Sequence, residues 1–391
     1  MKHRIVVLGA GYAGTHAAGR LARRLHAADT EITLVNADSE FVERVRLHQV
    51  AAGQDLPRRR LSDVYAGTPV TVRQARVTAV DAGNRTVQLD DGELGYDTLV
   101  YALGSTSDDH GVPGVAGYAY PLAGLDAAMR LRERLSGLAP GSAVLVAGGG
   151  LTGIEAATEI AESRPDLTVA IAARDGVGDW LSDKAQRHLR TVFGRLRITV
   201  HEHAAITAVE ADGVRTGSGR IPADLTVWAA GFTTHPIAAA SALQVAANGQ
   251  IVADATMRSV SHPEVYAVGD AGITDGPGGK PLRMSCASGI PMAWQAADSI
   301  AARLTGRSLP KSPVRYFSQC ISLGRRDGII QVVTADDRAT STAVTGALAA
   351  RMKELVCAGA GWSIAHPTVL LPTRRRRIQL PTSSAAMKAV G

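Results

Sequence analysis

The chain has 391 residues, 46% hydrophobic and 20% charged, which excludes a disordered polymer and leaves length for two or three domains. Its three cysteines, Cys286, Cys320 and Cys357, are too few and too scattered for a disulfide framework or a zinc site, and no CxxC pair offers dithiol chemistry. The net charge of +6 is mild, and the run Arg374-Arg375-Arg376-Arg377 supplies much of it; this reads as a solvated tail, and an aromatic content of 4% argues against a nucleic-acid stacking platform.

Residues 5–8 predict a strand that begins almost at once, which leaves no room for a signal peptide. No run of about 18 apolar residues predicts a transmembrane helix, so a cytoplasmic protein is expected. The strand runs into Gly9-Ala10-Gly11-Tyr12-Ala13-Gly14, and residues 12–25 predict a helix. In a GxGxxG turn the first glycine makes the bend, the second admits a pyrophosphate, and the third lets helix and strand pack. The helix N-terminus then faces the negative phosphates. Residues 32–35 predict the next strand. At its end, where an acidic residue usually binds a ribose diol, stands Asn36, with Asp38 nearby. The Asn36 amide oxygen still accepts a hydroxyl proton, without a charged acceptor's strength. Residues 70–89 read as strands in a meander, followed by a strand ending in Ala102-Leu103-Gly104.

The same order then repeats about 140 residues later. Residues 143–147 predict a strand, Gly148-Gly149-Gly150-Leu151-Thr152-Gly153-Ile154-Glu155 a second glycine loop, 153–162 a helix and 168–172 a strand. After that strand comes Ala173-Arg174; arginine cannot accept ribose hydroxyl protons but suits a 2′-phosphate, which points to NADPH or to relaxed selectivity between NADPH and NADH. A meander-like stretch at 198–214 precedes another small-residue strand end, Ala229-Ala230-Gly231. Residues 264–270 end a short strand in Gly269-Asp270, whose carboxylate suits a ribityl hydroxyl. Pro/Gly-rich joints fall at 111–117, 233–236 and 308–313. Beyond them residues 316–333 predict two strands around a turn, and 347–358 a short, Ala-rich helix with Arg351, Lys353 and Glu354, followed by a Gly-rich break before Trp362. Such a helix lacks a bulky apolar face, so no peripheral membrane contact is expected.

Two glycine loops, two small-residue strand ends and a terminal Gly-Asp resemble the FAD/NAD(P)-dependent pyridine nucleotide oxidoreductases, over roughly residues 1–310. Within them, Leu47-His48-Gln49-Val50-Ala51-Ala52-Gly53 and the GGGxTGxE form of Gly148–Glu155 are most similar to the type II NADH dehydrogenase and apoptosis-inducing-factor-like branch. The resemblance implies an α/β fold of two Rossmann-like dinucleotide-binding domains with a small α+β C-terminal subdomain. Residues 1–115 and 237–310 would bind FAD, 116–236 the nicotinamide coenzyme, and 311–391 would form the subdomain and basic tail. Implied FAD contacts are Gly9, Gly11, Gly14, Asn36, His48, Val77, Ala102, Gly104, Gly269 and Asp270. Implied coenzyme contacts are Gly148, Gly150, Thr152, Gly153, Glu155, Arg174 and Gly231. Glu155 would orient the nicotinamide or relay protons, or merely favour the helix dipole. His48 would shuttle protons, touch the flavin or anchor it covalently, or simply pack.

Quinone-reducing relatives carry an AQxAxQ-like stretch where this chain reads Trp294-Gln295-Ala296-Ala297-Asp298-Ser299, which keeps Gln295 as the third catalytic candidate and replaces the second glutamine by Ser299. The expected reaction is hydride transfer from NAD(P)H to flavin and on to a small-molecule acceptor, a quinone or an organic metabolite. The alternatives are a metabolite flavoenzyme with a vestigial nicotinamide site and a non-catalytic redox sensor. A homodimer is left open.

Overall fold

The computed structural model describes residues 1–310, 313–366 and 374–379. A first unit opens with β1 (His3–Leu8), α1 (Tyr12–Arg24), β2 (Thr30–Asn36), α2 (Leu47–Ala51), β3 (Val70–Gln74) and β4 (Thr98–Tyr101). A second follows as β5 (Ala119–Pro121), α3 (Leu125–Ser136), β6 (Ala143–Ala147), α4 (Leu151–Ser163), β7 (Thr168–Ala172), α5 (Asp183–Arg195), β8 (Thr199–His201) and β9 (Leu225–Trp228). The chain then returns with β10 (Val265–Ala267) and α6 (Cys286–Leu304). It continues through β11 (Ser318–Ser322), β12 (Gly328–Val333), β13 (Ala339–Thr345) and α7 (Ala347–Ala365).

Two parallel sheets result, in the orders β10-β4-β1-β2-β3 and β8-β7-β6-β9-β5. Their central strands are continuous apolar runs because helices or loops cover both faces: β4 and β9 are buried at every residue. The copies agree in hydrogen bonding. The Gly9 and Gly148 amides each donate to the end of the next strand, at Val35 and Ala172, both at 2.8 Å. The Ala102 and Ala229 amides donate back to Leu8 and Ala147 at 2.9 and 2.8 Å.

The meanders are shorter than the sequence implies. Residues 70–74 and 199–201 instead add parallel edge strands to the two sheets, and the antiparallel meanders are Val77–Asp81, Thr86–Leu89, Gly92–Gly95 and Ile206–Glu210, Gly213–Thr216, Gly219–Pro222. A short β-type run does not reveal the direction of its neighbours, so both copies mislead in the same way.

The C-terminal segment has three antiparallel strands where two were expected. Ile321, Leu323 and Ile329 join the core of the second unit, while Val314, Tyr316, Val333 and Ile364 join that of the first. Its final helix runs seven residues past the expected end at 358, through Gly359 and Gly361, to Ala365. Gly361 fits because the neighbouring Arg59 and Glu43 side chains lie 3.1 and 3.3 Å from where a Cβ would sit. Among the described residues, no helix is long and apolar enough to cross a membrane.

Candidate active site

One cavity of about 730 Å³ starts at the first glycine loop and ends against the inner side of α7. The loop shape follows from steric necessity. Gly9 has φ +92°, and a Cβ there would stand 2.4 Å from the Ala102 carbonyl oxygen. A Cβ on Gly14 would stand 1.8 Å from the Gly9 carbonyl oxygen, so α1 packs onto the turn only through hydrogen. Gly11, the N-cap of α1, meets nothing within 4 Å and faces the cavity. Open space before unpaired helical N–H groups suits a pyrophosphate. Further along, Asp270 accepts from Ser105 Oγ at 2.6 Å, and Arg44 donates to the Ser105 carbonyl at 2.8 Å. These groups fit an FAD: backbone donors for phosphates, then a carboxylate for hydroxyl groups.

Asn36 also lines this space but serves chiefly as a tether. Its Oδ1 accepts from the Ala10 amide at 2.9 Å and its Nδ2 donates to the Asp38 carbonyl at 2.8 Å. The carboxamide therefore holds the glycine loop, and only one lone pair of the oxygen is left for a ribose hydroxyl.

Where α4 meets the cavity, a buried polar cluster forms. Glu155 Oε1 lies 3.1 Å from Lys353 Nζ on α7 and accepts from both the amide and the hydroxyl of Ser322 at 3.0 Å. His48 on α2 lies against the same groups, its Nε2 3.4 Å from Ser322 Oγ and its Nδ1 3.9 Å from Glu155 Oε2. Burial alone would raise the Glu155 pKa; Lys353, His48 and the Ser322 donors outweigh it and hold the carboxyl below its usual range. Burial lowers Lys353, but Glu155 more than reverses this and keeps the ammonium charged. Desolvation pushes His48 down to about 4, against the pull of Glu155, so the imidazole is neutral at pH 7. The arrangement is a buried ion pair beside a neutral imidazole, at the edge of an open cavity.

The expected residues divide in two. Gly9, Gly11, Asn36, His48, Val77, Ala102, Gly104, Thr152, Glu155, Gly269 and Asp270 all line the cavity. Gly14 packs beneath the loop, as Gly153 does in the second copy, 1.8 Å (Cβ to oxygen) from the Gly148 carbonyl. Gly148, Gly150, Arg174 and Gly231 lie outside the cavity wall. Arg174 is exposed, and Gly231 is covered by His110, whose Nε2 would lie 2.7 Å from a Cβ there. Gln295 does not reach the cavity: the cavity-facing stretch of α6 is Cys286–Ile290, and Gln295, further along, donates to the Ala255 carbonyl at 3.4 Å.

Two wall residues escaped the sequence reading. Lys353 and Arg44 sit in stretches with no motif, far in sequence from their partners. Cys286 and Cys320, which the sequence places on either side of the helix that would approach the flavin and where a sulfur–flavin bond would need a low-pKa thiolate, line the cavity together with Cys357. Desolvation pushes the thiols of Cys286, at the open side, and of buried Cys357 up rather than down.

The paired Rossmann-like units and the shared cavity define an oxidoreductase that works with FAD and a pyridine nucleotide. Residues 3–301 match the family described as pyridine nucleotide-disulphide oxidoreductase, and the chain belongs to it. It is 30% identical over 349 residues to the NADH dehydrogenase-like protein Rv1812c of Mycobacterium tuberculosis, covering 82% of this chain and 86% of that one. It is 25% identical over 389 residues to the type II NADH:quinone oxidoreductase of Staphylococcus haemolyticus, covering 91% and 94%. In fold it is similar to the sulfide:quinone oxidoreductase of Aquifex aeolicus, with a TM-score of 0.80 at 18% identity over 94% of this chain and 93% of that one. It is also similar to NDH2 of Plasmodium falciparum, solved with NADH, with a TM-score of 0.77 at 13% identity over 94% and 98%.

Proposed function

We propose that the protein passes a hydride from reduced nicotinamide coenzyme through FAD to a quinone. The observation that carries this reading is the continuity of the cavity, from the glycine loop at Gly9–Ala13 to the apolar wall of Val356 and Ala360, with Glu155 and Lys353 between. Bound FAD would supply the hydride chemistry; the chain positions the reactants and manages charge. Residues 1–115 with 237–310 would hold FAD, and 116–236 the coenzyme. Glu155 and Lys353 would place a charged donor beside the acceptor, while neutral His48 offers one nitrogen to donate and one to accept. Lys353 takes the acceptor-side role first given to Gln295. Arg174, exposed at the end of β7, would meet the 2′-phosphate of NADPH.

The quinone reading also revises the expectation about membranes. The longer α7 exposes Leu348, Met352, Leu355, Val356 and Trp362, an apolar face that the alanine count of residues 347–358 concealed. Val356, 53% exposed, belongs both to this face and to the cavity wall, so an apolar acceptor would enter from a lipid surface.

The test is anaerobic reduction of the yellow protein by NADH and by NADPH, followed by a screen of soluble quinones and organic acceptors. Rapid multiple turnover with a quinone is expected. A long-lived reduced complex with no turnover would instead mark a redox sensor, and turnover confined to a non-quinone metabolite would sink the quinone assignment. Vesicle flotation tests the docking face; recovery only in the soluble fraction would remove it.

A further inference from the structure

Behind Glu155, α4 carries two more carboxyl groups on the same stripe, Glu159 and Glu162, four and seven residues on. Glu162 is at the solvent end: its side chain is 25% exposed, it accepts from the Arg325 amide, and the Arg326 guanidinium lies 3.9 Å away. Glu155 is at the cavity end. The stripe therefore spans about 10 Å of helix between solvent and cavity wall. Glu159 lies between them, 1% exposed. One of its oxygens accepts from the Gln54 side-chain amide, while Oε2 is buried with no hydrogen-bond partner. A buried ionised oxygen without a partner is costly, whereas a protonated carboxyl removes the charge.

We propose that Glu159 is the proton store for the acceptor half-reaction, filled from solvent through Glu162 and emptied towards Glu155 at the cavity wall. The proposal rests on the quinone reading above. Reducing a quinone to a quinol adds one hydride, which originates on the coenzyme, and one proton. That proton leaves the Glu159 carboxyl, which becomes a carboxylate and is refilled from water by way of Glu162. Burial, the largest influence, raises the Glu159 carboxyl to about 7; Glu162 and Glu155 push the same way, while Arg325 and the Gln54 amide oppose them. The group is therefore part-loaded near neutral pH, where a proton donor is most useful.

The experiment compares wild type with Glu159→Gln and Glu162→Gln, in two measurements. Infrared titration of the purified chain, with and without flavin, should show a protonated carboxyl carbonyl band that fades as pH rises through about 7. The band should be missing from Glu159→Gln. Turnover is then measured with a soluble quinone and with ferricyanide, which takes electrons but no proton. The quinone-to-ferricyanide ratio should fall about tenfold in Glu159→Gln at pH 8, with a smaller fall in Glu162→Gln. No titrating band in wild type, or a ratio unchanged in both variants while wild type reduces quinone, overturns the store and leaves the quinone reading standing. No quinone reduction by wild type overturns both. If Glu159→Gln does not fold, Glu162→Gln, altered only at the solvent end, carries the ratio test alone.

Discussion

The two glycine-loop units share a backbone design but carry opposite charge along their helices. Seven residues after the first glycine, α1 has His16 where α4 has Glu155. At the next two positions of the stripe α1 has Arg20 and Arg23, and α4 has Glu159 and Glu162. In the first unit the stripe is absorbed by structure. Arg20 binds Asp298 of α6 through two hydrogen bonds of 2.8 and 2.7 Å, and Arg24 adds two more at 3.0 and 3.4 Å. In the second unit Glu155 is paired across the cavity wall, and Glu159 keeps an unpartnered oxygen. The same helix stripe thus joins two packed helices in one copy and runs up to the cavity wall in the other. A shared glycine pattern does not imply a shared duty.

The largest expected effect tests the α4 side. Lys353→Met leaves Glu155 buried beside only a neutral imidazole and the Ser322 donors, and should cost about 3–5 kcal/mol of stability in chemical denaturation. The double variant Lys353→Met, Glu155→Gln should recover most of that loss. An equal loss in both would show that α7 packing, not charge, holds the cluster. Next come the shared glycines. Gly14→Ala and Gly153→Ala each drive a methyl into a carbonyl oxygen 1.8 Å away, an overpacking worth about 1–3 kcal/mol. Their phenotypes should separate: Gly14→Ala should lose the yellow colour on purification, while Gly153→Ala should stay yellow but resist reduction by coenzyme. Matching phenotypes would erase the division of labour between the copies.

Much of this was legible in the sequence, and where it was not the reason is physical. Glycine loops are local: Gly9 and Gly14 must be small for reasons set within one turn and the strand beside it. The Asp270 strand end was readable for the same reason. Lys353 was not, because its partner Glu155 is 198 residues away, so nothing at 353 distinguishes it from a surface lysine. Arg44 binds Ser105, which in turn binds Asp270, and this chain of contacts forms only after β4 and β10 pair. Gln295 matched a motif in register but not in helical phase, and phase decides which side chains face a cavity. The exposed face of α7 was hidden because a count of alanines says nothing about which residues point outward.

A smaller effect separates the charged stripes by pH. The Glu159 pKa is raised on folding from 4.5 to about 7, so the folded chain holds a proton that the unfolded chain has released. Its contribution to stability is complete below about pH 4.5 and is lost as pH rises through about 7. Glu159→Gln should flatten this dependence, by about 1–2 kcal/mol between pH 5 and pH 7. Asp298 gives the contrast on the α1 side. Burial raises its pKa, but Arg20 and Arg24 outweigh that and hold it low, so its stabilisation is present at neutral pH and is lost only as the solution becomes strongly acidic. Asp298→Asn should therefore alter the acid limb of the stability curve and leave the region around pH 7 unchanged in slope. A variant of either residue that shifts the other's limb would show that the stripes are coupled.

The smallest effect concerns coenzyme choice, at the strand ends where the copies also part. In the first unit Asn36 is bound into the glycine loop; in the second, Ala173 packs against Gly149, with 2.6 Å between its Cβ and the place a Gly149 Cβ would take. Ala173 offers no carboxylate, and the next residue, Arg174, is exposed, so the proposed contact with a coenzyme phosphate falls to it. An exposed guanidinium keeps its hydration and is screened by salt, so its pairing with a 2′-phosphate is worth at most about 1 kcal/mol. Arg174→Gln should raise KM for NADPH about fivefold, leave KM for NADH nearly unchanged, and lose the difference at high ionic strength. Equal changes with both coenzymes would place Arg174 on the shared pyrophosphate instead. No change with either would leave it a solvated residue at the strand end, with specificity set by the packing of Ala173 alone.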